Sequence, residues 1–194
     1  MKPAIVVVLL CALFVPSLYS LDAAEPLNRY VFDTVEDEYV LASYFFTTRE
    51  KQIARSLKGE DRREFIGKFW QMLDPNPVSD DNEFLTVLRA RIAYANINFG
   101  GFKPGWKTDR GRIYIKYGPP YDVLSGTSSS STNYIEKDYK IWKYRIQNNF
   151  TYIFLDIGTS GDLRLIFSNG DDSESSLVDW LKYIGYDFDL SLLY

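Results

Sequence analysis

The chain has 194 residues, of which 46% are apolar and 25% charged, and its net charge is −4. This is a globular composition without the basic face that a nucleic-acid footprint needs. Histidine is absent, which removes the commonest general base and the commonest zinc and copper ligand.

The N-terminus carries an address. Lys2 is followed by an apolar run over residues 4–15, which Pro16, Ser17 and Ser20 then break. A charged start, a short apolar stretch and a small-residue exit read as a secretory signal peptide over residues 1–20. Cleavage is expected after Ser20, with Ala23 and Ala24 as alternatives. The run is shorter than the ~20 apolar residues that cross a bilayer, so no membrane span is expected in the mature chain. An uncleaved anchor is the competing reading. Cys11, the single cysteine, follows Leu10 where a lipidation site wants a small residue. The mature chain is therefore expected to hold no thiol, no disulfide and no thiolate metal site. Nothing in the sequence calls for a cofactor or a metal. The expected location is exported, periplasmic or extracellular.

Residues 21–46 read as an extension with a helix, because Val35, Tyr39, Ala42 and Phe46 fall at helical spacing after Asp33 and Thr34. Thr47 and Glu50 form a capping-box pattern for a second helix with Ile53 and Leu57, ended by Gly59. A third helix places Phe65, Ile66, Phe69, Trp70 and Leu73 on one face, and Pro75 and Pro77 stop it. Ser79 and Asp80 are the expected caps of a fourth, whose stripe is Leu85, Leu88, Ile92, Ala95 and Phe99. Gly100 and Gly101 close it. The acidic stretch over residues 74–83 has oxygens for calcium but lacks the glycine and ligand spacing of an EF-hand, and capping accounts for it without a metal.

The second half reads as strands. Ile113, Ile115 and Tyr117 alternate with Arg112, Tyr114 and Lys116, which predicts a strand over 112–117 ended by Gly118. A serine-rich loop is expected over 125–133. Strands over 139–146, 150–157 and 163–168 with short turns make an antiparallel meander. Asn149, Phe150 and Thr151 match a glycosylation sequon at one of these turns. Leu177, Trp180, Leu181 and Ile184 predict a short amphipathic helix over 176–184, ended by Gly185. In residues 186–194 the period changes. Tyr186, Phe188, Leu190 and Leu192 alternate with Asp187, Asp189 and Ser191, as on a strand with one apolar face. Such a tail either joins its own sheet or docks on a partner's edge. The fold class is α+β, a single domain of N-terminal helices followed by a mainly antiparallel sheet.

The stretch Gly105-Trp106-Lys107-Thr108-Asp109-Arg110-Gly111-Arg112-Ile113-Tyr114-Ile115, closed by Tyr117-Gly118-Pro119-Pro120, resembles the signature of the GWxTD domain family. Phe69-Trp70, Asp74-Pro75-Asn76-Pro77, Asn82-Glu83-Phe84 and Arg91-Ile92-Ala93-Tyr94-Ala95-Asn96 fit the same pattern in order, and Trp142 and Tyr144 fit its aromatic strand. Leu73 departs from it where the family implies an arginine. The resemblance covers residues 47–167; the GWxTD-like domain is taken as 47–170, with a C-terminal segment over 171–194. It implies exported proteins of bacterial envelopes, with no established activity to carry over.

The residues themselves leave three readings of the motif. As a structural corner, Trp106 anchors a loop, Thr108 and Asp109 bond nearby amides, Gly111 permits an unusual backbone angle, and Arg110 or Arg112 pairs with Asp109, Asp74 or Glu83. As a binding ledge, Trp106, Arg110 and Tyr114 take an anion or a carbohydrate. As an enzyme, Asp109 and Glu83 serve as a carboxylate pair acting on cell-wall or other glycans. Mechanisms that need histidine are excluded. A serine–lysine mechanism is not, though no convincing Ser-x-x-Lys stands in a catalytic setting. The functional expectation is a non-catalytic binding or assembly module of the cell envelope, with an envelope protein or glycan as partner.

Overall fold

The computed structural model describes residues 29–129, 136–146 and 149–194. The expected signal peptide, Cys11, the last part of the serine-rich stretch, and Gln147 and Asn148 of the expected turn lie outside them.

Four helices come first: α1 (Val35–Ala42), α2 (Thr48–Ser56), α3 (Gly59–Met72) and α4 (Glu83–Phe99). Thr34 caps α1. Thr47 and Glu50 make both hydrogen bonds of the capping box at α2. Gly59 is the first residue of α3 and not the stop of α2; its φ of +53° is the left-handed geometry that glycine tolerates. The cap of α4 is Asn82, not Ser79 or Asp80. Its side chain accepts from the Leu85 amide at 3.0 Å and donates to the Trp70 carbonyl at 2.9 Å, so one amide starts α4 and ties it to the end of α3. Leu41, Phe46, Ile66, Phe69, Trp70, Leu85, Leu88 and Ile92 form the helical core.

One carboxylate lies inside that core. Glu38 is 2% exposed and accepts from Trp70 Nε1 at 2.5 Å and from the amides of Val31 and Phe32 at 3.0 and 2.6 Å. Burial pushes its pKa up, against the pull of these donors and of Arg89.

A helix then stands where alternation predicts a strand: α5 (Asp109–Tyr117). The pattern misleads because α5 is buried on two sides. Ile115 packs into the helical core and Ile113 into the sheet. Thr108 caps it, Lys116 lies in its last turn, and Gly118 ends it at φ +78°.

The sheet has the order β1-β2-β3-β4, antiparallel throughout. Its strands are β1 (Asp122–Ser129), β2 (Glu136–Tyr144), β3 (Phe150–Leu155) and β4 (Arg164–Asn169). Residues 125–129, expected in a loop, are strand. Ser125 pairs with Lys140 and Ser129 with Glu136, since a ladder needs only backbone and an edge strand tolerates small polar side chains. Every residue of β3 is buried. Phe150, Tyr152 and Phe154 face Ile113 with Trp142 and Tyr144. Ile153 and Leu155, with Ile141 and Ile166, face the other way, toward Ile184 and Leu193.

That second face is covered by the C-terminal segment. Its helix α6 is limited to Leu181–Ile184. Residues 176 and 177 are not helical because they spend their groups on the edge of β4: the Leu177 amide donates to the Ile166 carbonyl at 2.8 Å, and Ser176 Oγ bonds the amide and carbonyl of Ser168. The tail is not a strand either. Asp189 accepts from the Ser191 amide and opens a 3₁₀ turn at Leu190–Leu193. Phe188 meets Tyr139 and Trp180 edge-on, and Leu193 is 8% exposed. Deleting residues 186–194 removes these contacts and is expected to destabilise the protein by about 3 kcal/mol or more, read by urea unfolding. An unchanged midpoint would show that the tail is not part of the core.

Candidate functional site

The motif residues build the corner between α4 and α5. Gly105–Lys107 is a 3₁₀ turn. Trp106 is 4% exposed, stacked on Phe32 at 4.6 Å and near Tyr44. Its amide donates to Asn96 Oδ1 and its carbonyl accepts from the Tyr44 hydroxyl. It is an anchor in the helical core and not part of a ledge. Buried Thr108 closes the turn: its hydroxyl donates to the Gly105 carbonyl at 2.7 Å and accepts from the Gly111 amide at 3.0 Å. Gly111 sits inside α5 with no left-handed angle. What it supplies is room, because a Cβ there would lie 1.9 Å from the Gly105 carbonyl oxygen.

Asp109 ties the corner to the sheet. Oδ2 accepts from the Leu165 amide at 3.0 Å and from Arg164 Nε at 3.2 Å, and Oδ1 accepts from Arg112 Nη1 at 2.8 Å. Burial alone would raise its pKa; these donors outweigh that and hold it below the ordinary carboxylate value. Arg112 also donates from Nε and Nη2 to both oxygens of Glu174, at 3.1 and 2.9 Å. One turn later Lys116 reaches Glu174 at 3.2 Å, Asp171 at 3.5 Å and Ser173 Oγ. Asp171 accepts from the hydroxyls of Tyr152 and Tyr117 at 2.7 and 2.9 Å, and its other oxygen accepts from Ser173. Against the effect of burial, these donors pull Asp171 down to about 2. Burial and the neighbouring Asp171 push Tyr152 far up.

Sequence reasoning missed Lys116, Asp171, Ser173 and Glu174. Lys116 carried a signal, one turn from Arg112 on a helix read as a strand. The partners 54–62 residues away carried none. The arrangement is also not a serine–lysine base pair. Ser173 Oγ donates to Asp171 Oδ1 while Lys116 Nζ donates to Ser173 Oγ and Glu174 Oε1, so the serine proton points at the carboxylate and not at the lysine.

Asp109 and Glu83 are not brought together. Gly105, bonded to Thr108, packs on Ala95, whereas Glu83 starts the same helix 12 residues earlier, which is about 18 Å along the axis. Glu83 accepts from Ser79 Oγ at 2.7 Å, and that bond holds its pKa down. Neither acid is kept protonated as a general acid requires.

Arg110 differs from its neighbours. Asp109, Asp171 and Glu174 go to Arg112, Arg164 and Lys116, and the carboxylate that acts on Arg110, Asp162, is paired with Lys103 at 3.5 Å. The Arg110 guanidinium lies 4.9 Å over the Phe99 ring, and its enclosed Nε meets no acceptor. Tyr114, one turn on, stacks on Tyr94 at 4.5 Å and meets Phe99 and Trp142 edge-on. Beside Phe99 a cleft of about 480 Å³ opens between residues 99–103 and the turn at 160–162. Among the described residues no group of His, Cys, Asp and Glu is placed to hold a metal ion.

The sequence model of the GWxTD domain matches residues 28–156. The chain belongs to the GWxTD domain family. Neither the curated proteins nor the solved structures yield a match. The GWxTD match begins early enough to include α1 and Glu38 and ends before β4, so Asp171 and Glu174 lie beyond it.

The GWxTD corner makes two predictions. Arg112→Ala takes two donors from Glu174, which keeps Lys116, and one from Asp109, and is expected to cost about 3 kcal/mol, whereas Arg110→Ala, which makes no close ion pair, costs about 1 kcal/mol or less. Urea melts of the two variants check the difference. The second concerns pH. Asp171 has a folded pKa of about 2 against an ordinary 3.8, so its contribution is present above pH 4 and is lost as pH falls toward 2. Asp171→Asn should lower stability at pH 7 and flatten its dependence between pH 5 and 2, in denaturation curves taken across that range.

Proposed function

We propose that the protein is an exported, non-catalytic binding or assembly module of the bacterial cell envelope. The charged N-terminus with its apolar run supports export, and family membership fits that location. The observation that carries the binding role is the outer face of α4. This helix is apolar on both sides, which is the pattern of a helix covered all round. Leu85, Leu88, Ile92 and Ala95 fill the core, yet Val87, Tyr94 and Ile97 on the other side are 50%, 44% and 83% exposed. Its arginines do not break that face. Arg89 donates to the Tyr30 carbonyl, and Arg91 to the carbonyls of Ile115 and Lys116. Meanwhile the acids of the GWxTD corner are engaged in internal bonds, which leaves them structural work and not proton transfer.

The reading is tested in two steps. The mature protein should begin near Leu21 and be recovered from the periplasm without detergent; N-terminal sequencing that finds Met1 in the membrane fraction would overturn export. Ile97→Asp should leave the melting temperature unchanged and abolish cross-linking to an envelope component in cells. If the variant cross-links as the parent does, the α4 face is not the contact.

A further inference from the structure

We propose that the outer edge of β1 takes an extended segment of the partner, one that alternates apolar and basic side chains and adds a fifth strand to the sheet. The inference rests on the binding-module reading and gives the partner a chemistry.

The two edges of the sheet differ. At β4 the edge is occupied, since Leu177 and Ser176 bond the backbone of Ile166 and Ser168. β1 is the other edge, and no described residue outside β2 bonds the backbone of residues 122–129. An edge strand turns half of its N–H and C=O groups away from its neighbour, and folded proteins usually blunt such an edge with lysines, a proline or a bulge. β1 has none of these. It pairs with β2 over all eight of its residues without a register shift, whereas the pairing of β3 with β4 is interrupted by one. Asp122, at its start, is its charged residue, and Pro119 and Pro120 stop short of it. An edge of this length, bare of charge after its first residue, is a template for another strand.

The two faces beside this edge select the side chains. On the face shared with Trp142, Val123 is 47% exposed. Tyr114 meets Trp142 edge-on and stacks on Tyr94 at 4.5 Å, so aromatic contacts continue from this part of the edge to the outer face of α4. On the opposite face a cleft of about 170 Å³ opens beside Ser128 and Tyr139, with room for one side chain. Asp187 and Asp189 line it, and its lining holds no lysine or arginine. Lys137, opposite Ser128 in the ladder, is not part of that lining and makes no ion pair with either acid.

Val123 and Ser128 are five positions apart, an odd number. One uninterrupted strand therefore presents opposite faces to them, at points ~16 Å apart. A segment with apolar and basic residues at a period of two satisfies both. A second copy of β1 does not, because from Asp122 to Ser129 it brings an aspartate and no cation to these acids.

The test uses the mature protein and a dye-labelled seven-residue peptide that alternates valine and lysine. Saturable binding is expected by fluorescence anisotropy, with hydrogen exchange slowed at the amides of residues 122–129. Three changes are each expected to weaken binding about tenfold or more at unchanged melting temperature: glutamate for lysine in the peptide, Val123→Lys, and Asp187→Asn combined with Asp189→Asn, where asparagine still accepts from the Ser191 amide. Absence of saturable binding, binding that leaves those amides unprotected, or equal binding by a peptide N-methylated at every residue overturns the edge. Equal binding of the glutamate peptide overturns the charge assignment. A dimer of the protein alone that Val123→Lys dissolves assigns the edge to a second copy and overturns the proposal. Loss of the Ile97 effect on cross-linking with peptide binding intact counts against the α4 face alone, and the reverse result counts against the edge alone.

Discussion

At the GWxTD corner three stretches of backbone lie closer than side chains allow. A Cβ on Gly105 would fall 1.9 Å from the Ala95 carbonyl oxygen, and one on Gly111 would fall 1.9 Å from that of Gly105. The end of α4, the 3₁₀ turn and the start of α5 are thereby stacked backbone on backbone, with the Thr108 hydroxyl pinning the last two. Much else follows from this approach. It wedges α5 between two layers, so that Ile115 is delivered to the helices and Ile113 to the sheet. It aims Asp109 at the start of β4, and Arg112 and Lys116 at the segment beyond it. A bulkier residue at either glycine would push α5 outward and separate all of these contacts at once.

The charge network around α5 is balanced. Arg112, Lys116 and Arg164 face Asp109, Asp171 and Glu174. Taking charges out of water is costly, and well-packed apolar groups often do as well or better for stability. What the ions add is register: each oxygen of Asp109 and Glu174 has a particular donor, so the residues after β4 can meet α5 in few ways. Arg110 stands one position from this network and outside it. A cation that takes no part in so complete a set of pairs is a different kind of residue from its neighbours, although Asp109, Arg110 and Arg112 are read together in the motif.

Much of this was legible in the sequence where the determining contacts are local. The Thr47–Glu50 box, the stripe of α4, the anchoring of Trp106 and the backbone bonds of Thr108 all depend on residues a few positions apart or on burial of a large ring, whereas Asp109, expected to bond a nearby amide, bonds that of Leu165 in β4. The meander followed from continuous apolar runs between turns. The misreadings share a cause, which is that a second surface changes what a pattern means. Alternation in Ile113, Ile115 and Tyr117 resembles a strand because α5 is enclosed from two sides. Ser125 to Ser129 looks like a loop until β2 supplies its ladder. Leu177 has helical spacing, but the edge of β4 takes its amide. The pairing of Arg112 with Asp109, three residues away, was among the expected ones, but the partners of Arg112 and Lys116 beyond β4, more than 50 residues away, left no local trace at all.

The cover of the sheet has a bearing on the order in which the chain folds. Ile141, Ile153, Leu155 and Ile166 are complete as a face once β4 has been made, yet Ile184 and Leu193, which close over them, come later in the chain. During synthesis the sheet can therefore form only with one side bare. An incomplete chain of this kind exposes a contiguous apolar surface next to the open backbone of β1, which is the combination that favours association between nascent chains. The last twenty residues thus act on the yield of the protein before they act on its stability, and truncations there should be felt first as insoluble product.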